Sequence, residues 1–272
     1  MVAVANIINN ILNGLFSFLD YLSVGAGLFV SSAVTGLVML IIFRYTSNQK
    51  KIKAAKDKVK AYILEIRLYK DSPRIILRAL GKILRFNAIY MRYAFLPVIF
   101  LFVPVVLILV NLNFRYNYRG IESGASFIVS AALVDQALLD KVSIRVPAGV
   151  TVETPPLRIA QRNEIDWRLR ATGSGASTIT LVCQDREEQK ILLVGDRLQK
   201  IAPQKASPGF LSVLLNPAEK PLSPGSPFQS IQIKYPHRHN RILGISIHWL
   251  VAFFILSLIF AFALKGPLKV EI

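Results

Sequence analysis

Few residues in this 272-residue chain have a type and spacing suited to covalent chemistry. His237-Arg238-His239 sets two imidazoles at strand spacing, a partial metal site. A strong zinc site needs more ligands, and no Cys or acidic cluster lies near. Arg238 and Arg241 also repel a cation, so no metal is expected and the segment reads as a headgroup anchor. The lone Cys183 excludes an intrachain disulfide. No G-x-S-x-G, P-loop, H-E-x-x-H or paired-carboxylate pattern occurs, so neither catalysis nor a cofactor is expected. What remains is non-covalent. Gly27, Ser31 and Thr35 fall four apart in an apolar run, and Ser32 and Gly36 repeat the spacing on an adjoining face. Small residues so placed let helices approach closely, and their hydroxyls could equally line a mildly polar groove. Arg44 ends that run, and Asn111 and Asn113 end the next one.

The elements carrying these residues read as membrane helices. The chain is 53% hydrophobic yet carries a formal charge of +17, a pairing rare in soluble domains. Gly25 to Phe43, Ala94 to Leu112 and Ile242 to Leu264 contain no charged residue, and each is long enough for a ~30 Å hydrocarbon core. Nothing else in the chain could cover three such helices. Pro97 and Pro104 should kink the second. His248 and Trp249 suit an interfacial belt. The first 22 residues lack a basic leader region and an A-x-A site, so the first span is expected to be retained.

Charge sets the expected orientation. Between Arg44 and Tyr93 stand fourteen Lys/Arg against three acids, and short basic loops stay cytoplasmic. The N-terminus and the long second connection then face outward, and the tail 265–272, with Lys265 and Lys269, lies inside. The outer segment has 17 Lys/Arg against 11 acids, but long translocated domains count little in that rule.

Within the basic segment, Ile52, Ala55, Val59, Tyr62, Ile66 and Tyr69 form a heptad seam. Asp71-Ser72-Pro73 breaks the helix, and Ile76, Leu80, Ile83 and Tyr90 continue the apolar series with Asn87 in the remaining slot. Two arms of nearly equal length predict an antiparallel coiled-coil hairpin running into the spans at both ends. Its outer faces carry Lys50, Lys51, Lys53, Lys56, Lys58, Lys60, Arg74 and Arg78. These either enforce topology or meet an anionic partner, such as lipid headgroups, ribosomal RNA or an acidic chain.

Beyond Leu112 the apolar period becomes two. Strands are expected over Ser126–Leu133, Val142–Pro147, Val150–Ile159, Glu164–Arg170, Thr178–Cys183, Lys190–Val194 and Ser230–Tyr235, with 203–228 an irregular Pro/Ser/Gly-rich loop. Together they predict a β-sandwich of an α+β membrane protein, with an outer partner the sequence does not name. At the other end, Val4, Ile8, Ile11, Leu15, Phe18 and Leu22 oppose Asn9, Asn10, Asn13 and Asp20, which predicts a neutral amphipathic helix either in the outer interface or packed on the spans. The expected organisation is thus 1–23 interfacial helix, 24–44 first span, 45–93 hairpin, 94–112 second span, 113–241 β-domain, 242–264 third span and 265–272 tail.

This order of elements, carried by Gly25 to Leu112 with FRYTSNQKKIKAAKDKVKAYILEIRLYKDSP at 43–73 and by Ile242 to Leu264, resembles the YidC/Oxa-type membrane insertase superfamily, in particular its small three-core-helix members. The likeness covers a little over half the chain. It implies a bacterial cytoplasmic-membrane protein that assists nascent membrane segments through a polar groove, with the hairpin meeting a ribosome or nascent chain. It implies no catalysis, and groove positions at Ser31, Ser32, Thr35, Arg44 and Asn111. Two features depart from the family pattern. The nearest candidate for a groove arginine is Arg44 at a span end, and the β-domain lies between the second and third spans. A membrane scaffold or sensor whose β-domain binds a partner is the competing expectation, and a transporter or channel subunit is weakened by the absence of charge within the spans.

Overall fold

A computed structural model describes residues 2–238, 241–242, 245–268 and 270. His239, Lys269 and Ile272 therefore lie outside the described residues. The fold is α+β, with helices flanking antiparallel sheet in the chain. Helix α1 covers Val2–Phe16 and is followed by a 3-10 turn over Ser17–Tyr21; α2 covers Val24–Thr46, α3 Gln49–Leu68 and α4 Pro73–Tyr116. The chain forms two compact units, one holding the residues up to Leu28 with Leu107–Trp249, the other Phe29–Val106 with the residues from Leu250 on.

Two helices, α2 and α4, are long and apolar enough to cross a membrane. Only 17% of the apolar window of α4 is covered. Phe95, Phe100, Phe102 and Val103 stand exposed along it, an apolar face the rest of the chain leaves uncovered. α4 continues through Pro97 and Pro104 without ending. The third apolar run differs from expectation. Residues 241–242 and 245–246 pair as a short antiparallel ribbon, so helix formation starts later, and the helix Trp249–Lys265 has 17 residues, about 25 Å.

The basic segment builds α3 and the first half of α4. Asn48 caps α3 by accepting from the Lys51 amide. Contacts between the helices fall in descending order: Lys51 Nζ over the Tyr93 ring, Lys56 over Tyr90, Tyr62 stacked on Phe86. As one number rises its partner's falls, the signature of antiparallel neighbours. The expected seam on α3 has Ile52 and Ala55 buried. On α4 the expected Ile76, Ile83 and Tyr90 are half-buried, but Leu80 and Asn87 are exposed and their neighbours Ala79 and Phe86 are buried and half-buried. Phe86 finds Tyr62, which a purely apolar heptad count does not foresee.

The remainder is sheet. β1 (Ser126–Leu133), β2 (Val142–Arg145), β3 (Val150–Val152), β4 (Leu157–Ile159), β5 (Glu164–Ala171), β6 (Gly175–Cys183), β7 (Arg186–Val194), β8 (Gln204–Ala206) and β9 (Phe228–Ile233) form two antiparallel sheets. One runs β3-β5-β1-β9-β8 with β4 also on β5; the other runs β2-β6-β7. Val129, Ile165, Trp167 and Ile231 from the first share one core with Ile179, Leu181 and Leu192 from the second. Alternation makes this possible, since every second residue of β1 and β5 points inward. The expected single strand Val150–Ile159 is broken between β3 and β4. The loop 203–228 holds β8 and a helix, α5 (Phe210–Leu215), rather than irregular chain alone. The final strand ends at Ile233, and Tyr235 is instead buried against the core with its hydroxyl accepting from the Leu193 amide.

Candidate functional site

Ser31, Ser32, Thr35 and Gly36 of α2 lie in the unit that also holds all but the first residue of the last helix, α6 (Trp249–Lys265). A Cβ at Gly36 would sit 2.9 Å from the Ser257 carbonyl oxygen and 3.3 Å from the Phe260 Cβ, so glycine permits backbone-to-backbone approach of α2 and α6. Phe29 meets Phe260 edge-on at 5.0 Å beside it. Ser31, Ser32 and Thr35 are 0%, 0% and 1% exposed. Thr35 Oγ1 donates to the Ser31 carbonyl at 2.7 Å, a helix-internal bond that leaves its oxygen lone pairs for others. Ser32 lies one turn before Gly36 on the same face. Ser257 is 6% exposed, and its Oγ has no hydrogen-bond partner. Gly36 and Ser257 thus meet where α2 and α6 touch, with Ser32 on that face of α2, while Ser31 and Thr35 are buried on an adjoining face. Arg44, in the last turn of α2, is exposed.

Asn111 belongs to the other unit and to a different set of residues. Its Nδ2 donates to Asn13 Oδ1 at 3.2 Å, and its Oδ1 accepts from Arg115 Nη1 at 2.7 Å. Arg115 in turn donates through Nε to Asp20 Oδ1 at 2.9 Å. Lys200 Nζ donates to Asn13 Oδ1 and, at 2.9 Å, to the Pro217 carbonyl. Asn9 Nδ2 donates to the Val213 carbonyl of α5 at 2.7 Å. Burial, then the Arg115 charge, bring Lys200 down to about 7, against the pull of Asp20. This network ties α1, the C-terminal turn of α4 and the 198–217 segment together.

On α1 and the 3-10 turn after it, Ala5, Asn9, Phe16 and Leu19 are buried and Asn13 half-buried, while Asn10 and the apolar Val4, Ile7, Ile11, Leu15 and Phe18 are exposed. Amphipathicity defines two faces; the environment decides which one the protein covers. Arg115 and Lys200 escaped sequence reasoning. The available signal was Arg115 itself, a cation one turn beyond Asn111 at the end of an apolar run, which needs a counter-ion.

Of the cations on α3 and α4, Lys50, Lys51, Lys53, Lys58, Lys60, Arg74 and Arg78 are exposed, and Lys56 is half-buried over Tyr90. Lys82 lies over Tyr62 at 4.8 Å. Exposed leucines stand among them: Leu64, Leu68, Leu77, Leu80 and Leu84. His237 stacks on Tyr118 with centroids 5.4 Å apart. Among the described residues no three His, Cys, Asp or Glu side chains converge as metal ligands would. No family model, curated protein or solved structure matches the chain.

Proposed function

We propose that this chain is a YidC/Oxa-type membrane protein insertase of the bacterial cytoplasmic membrane, with its N-terminus outside and its C-terminus inside. The observation that carries the proposal is the set of hydroxyls buried in the bundle: Ser31, Ser32 and Thr35 of α2, and Ser257 of α6, whose Oγ has no hydrogen-bond partner and which lies where Gly36 brings the two helices together. A buried polar group without a partner costs free energy unless it serves a state in which it is satisfied. Parting α6 from α2 would present Ser257, and Ser32 on the Gly36 face, to water or to a polar stretch of a nascent chain. That would lower the several kcal/mol needed to bring an unsatisfied polar group into lipid. At about 25 Å, α6 is shorter than the hydrocarbon core, which favours local thinning of the bilayer.

The basic pair α3/α4 is the recruiting element of the proposal. It forms the coiled-coil hairpin, its cations suit ribosomal RNA or anionic headgroups, and the leucines between them suit an apolar nascent segment. No arginine lies within the seam: Arg44 is exposed, and Arg115 is held by Asp20. The polar contribution therefore falls to hydroxyls. A second reading, a scaffold whose outer β-domain binds a partner, is favoured by a groove on that domain described below, and the two roles are compatible in one chain.

The test is insertion into proteoliposomes carrying the purified chain. A short-looped membrane substrate made in vitro should reach protease protection more fully than in empty liposomes. Gln at Lys50, Lys51, Lys53, Lys58 and Lys60 together should abolish the gain. Equal protection with and without the protein would refute the proposal.

A further inference from the structure

The outward face of the larger sheet carries a row of hydrogen-bonding side chains that no part of the proposed mechanism uses. Ser130 of β1 stands opposite Asp166 of β5 on one side and Gln232 of β9 on the other; Gln232 stands opposite Gln204 of β8. Neighbouring strands are about 4.8 Å apart, so four polar side chains cross four strands in register on one face. All four line a groove of about 1050 Å³. Its wall comes from the segments at Tyr118 and His237, which bridge as backbone and stack as rings 5.4 Å apart.

Two atoms here are buried without a hydrogen-bond partner: Asp166 Oδ1 and Arg119 Nε, both of groove-lining residues. A native fold rarely leaves such groups unsatisfied unless something else meets them. We infer that this groove binds a neutral oligosaccharide. One carboxylate, two carboxamides and a hydroxyl in a row supply the acceptors and donors that successive sugar hydroxyls need. The ring pair at the end offers a flat face to a sugar's C–H side.

Other ligand classes fit less well. Arg119 is paired with Glu122 at 2.5 Å, and Lys234 stands against Asp166 in sign, so the groove has no net field to draw a phosphate. A peptide added as a strand needs a long open edge, but β1 and β9 are paired on both sides and the edge strand β8 has only three residues. Its size exceeds that of a single small molecule's pocket and suits a chain of several rings.

The experiment titrates the full chain, in nanodiscs or an amine-oxide detergent so that no glycoside headgroup competes, with cellohexaose, maltohexaose and hexa-N-acetylchitohexaose by calorimetry. Saturable binding of at least one is expected, insensitive to added salt and untouched in Lys220→Ala, which lies outside the groove. Gln232→Ala should weaken it at least about tenfold. Asp166→Asn, nearly isosteric, should weaken it too while leaving the Trp167 fluorescence of the folded domain unchanged. No saturable binding of any of the three at millimolar concentration, or equal binding by both groove variants, would overturn the inference. So would binding that a polyanion displaces and salt abolishes.

Discussion

Arg115 Nε lies 2.9 Å from Asp20 Oδ1, with the arginine side chain 3% exposed and the aspartate 32%. The pair closes the C-terminal turn of α4 onto the segment that joins α1 to α2. Removing one partner of a well-buried pair costs about 3–5 kcal/mol, because the other charge is stranded. Asp20 is partly solvated, so Asp20→Ala should cost about 1–3 kcal/mol, and Arg115→Met in the same chain should restore part of the loss. Thermal unfolding of the two single variants and the double variant measures the coupling.

Lys200 gives a pH signature. Its native value of about 7 lies below the ordinary 10.5, so between those limits the unfolded chain holds a proton that the native chain has released. The contribution of Lys200 to stability therefore rises with pH from about 7 to about 10.5 and is flat outside that window. The difference in unfolding free energy between the parent and Lys200→Met should follow that curve. A pH-independent difference would place the amine in water.

Lys190 and Glu219 form a second buried pair, with Lys190 fully buried and also donating to the Ala202 carbonyl at 2.7 Å. Burial pulls the lysine below its usual range while Glu219 holds it up. Either single deletion strands a buried charge, Glu219→Ala the ammonium and Lys190→Met the carboxylate, and each should cost about 3–5 kcal/mol, whereas Lys190→Met with Glu219→Leu leaves no charge behind and should cost far less than the two singles added together. Denaturant unfolding of the two single variants and the double variant decides it.

Glycines 36 and 81 should respond in opposite directions. A side chain at Gly36 meets α6 backbone at 2.9 Å, so Gly36→Val should destabilise by about 1–3 kcal/mol and hinder the closed seam. Gly81, within α4, has nothing within 4 Å, so Gly81→Ala should stabilise by about 0.5–1 kcal/mol. Melting temperatures in detergent report both.

Legibility in the sequence followed the strength of the physical signal. β1 was readable to the residue because Phe127, Val129, Ala131 and Leu133 alternate with Ile128 and polar neighbours over a full strand. The break between α3 and α4 was readable because Ser72 suits an N-cap and Pro73 the first helical position that follows it. The packing of α1 was not: Asn9 bonds the Val213 carbonyl and Asn13 accepts from Asn111 and Lys200, partners far away in the chain. The seam on α4 was legible at Ile76, Ile83 and Tyr90 but not at Leu80 and Asn87, where heptad counting passes over the buried Ala79 and the Phe86 ring that stacks on Tyr62. The late start of α6 reflects Ile242 and Ile245, apolar residues that pair as strand as readily as they wind into helix. The small residues Ser31, Ser32, Thr35 and Gly36 were visible as spacing, but the approach of Gly36 to Ser257 of α6 joins segments far apart in the chain. The row Asp166, Ser130, Gln232 and Gln204 was invisible, since register across four strands is not written in any one segment.

The most direct measurement is site-specific photocrosslinking from Ser32 and Thr35 of α2 and from Lys58 of α3 in ribosome-bearing membranes. An insertase should give adducts between the two α2 positions and short nascent membrane segments, with Lys58 reaching the ribosome or the same chains. Adducts from all three positions to lipid or to stable membrane proteins alone, with none to nascent chains, would contradict the proposed function.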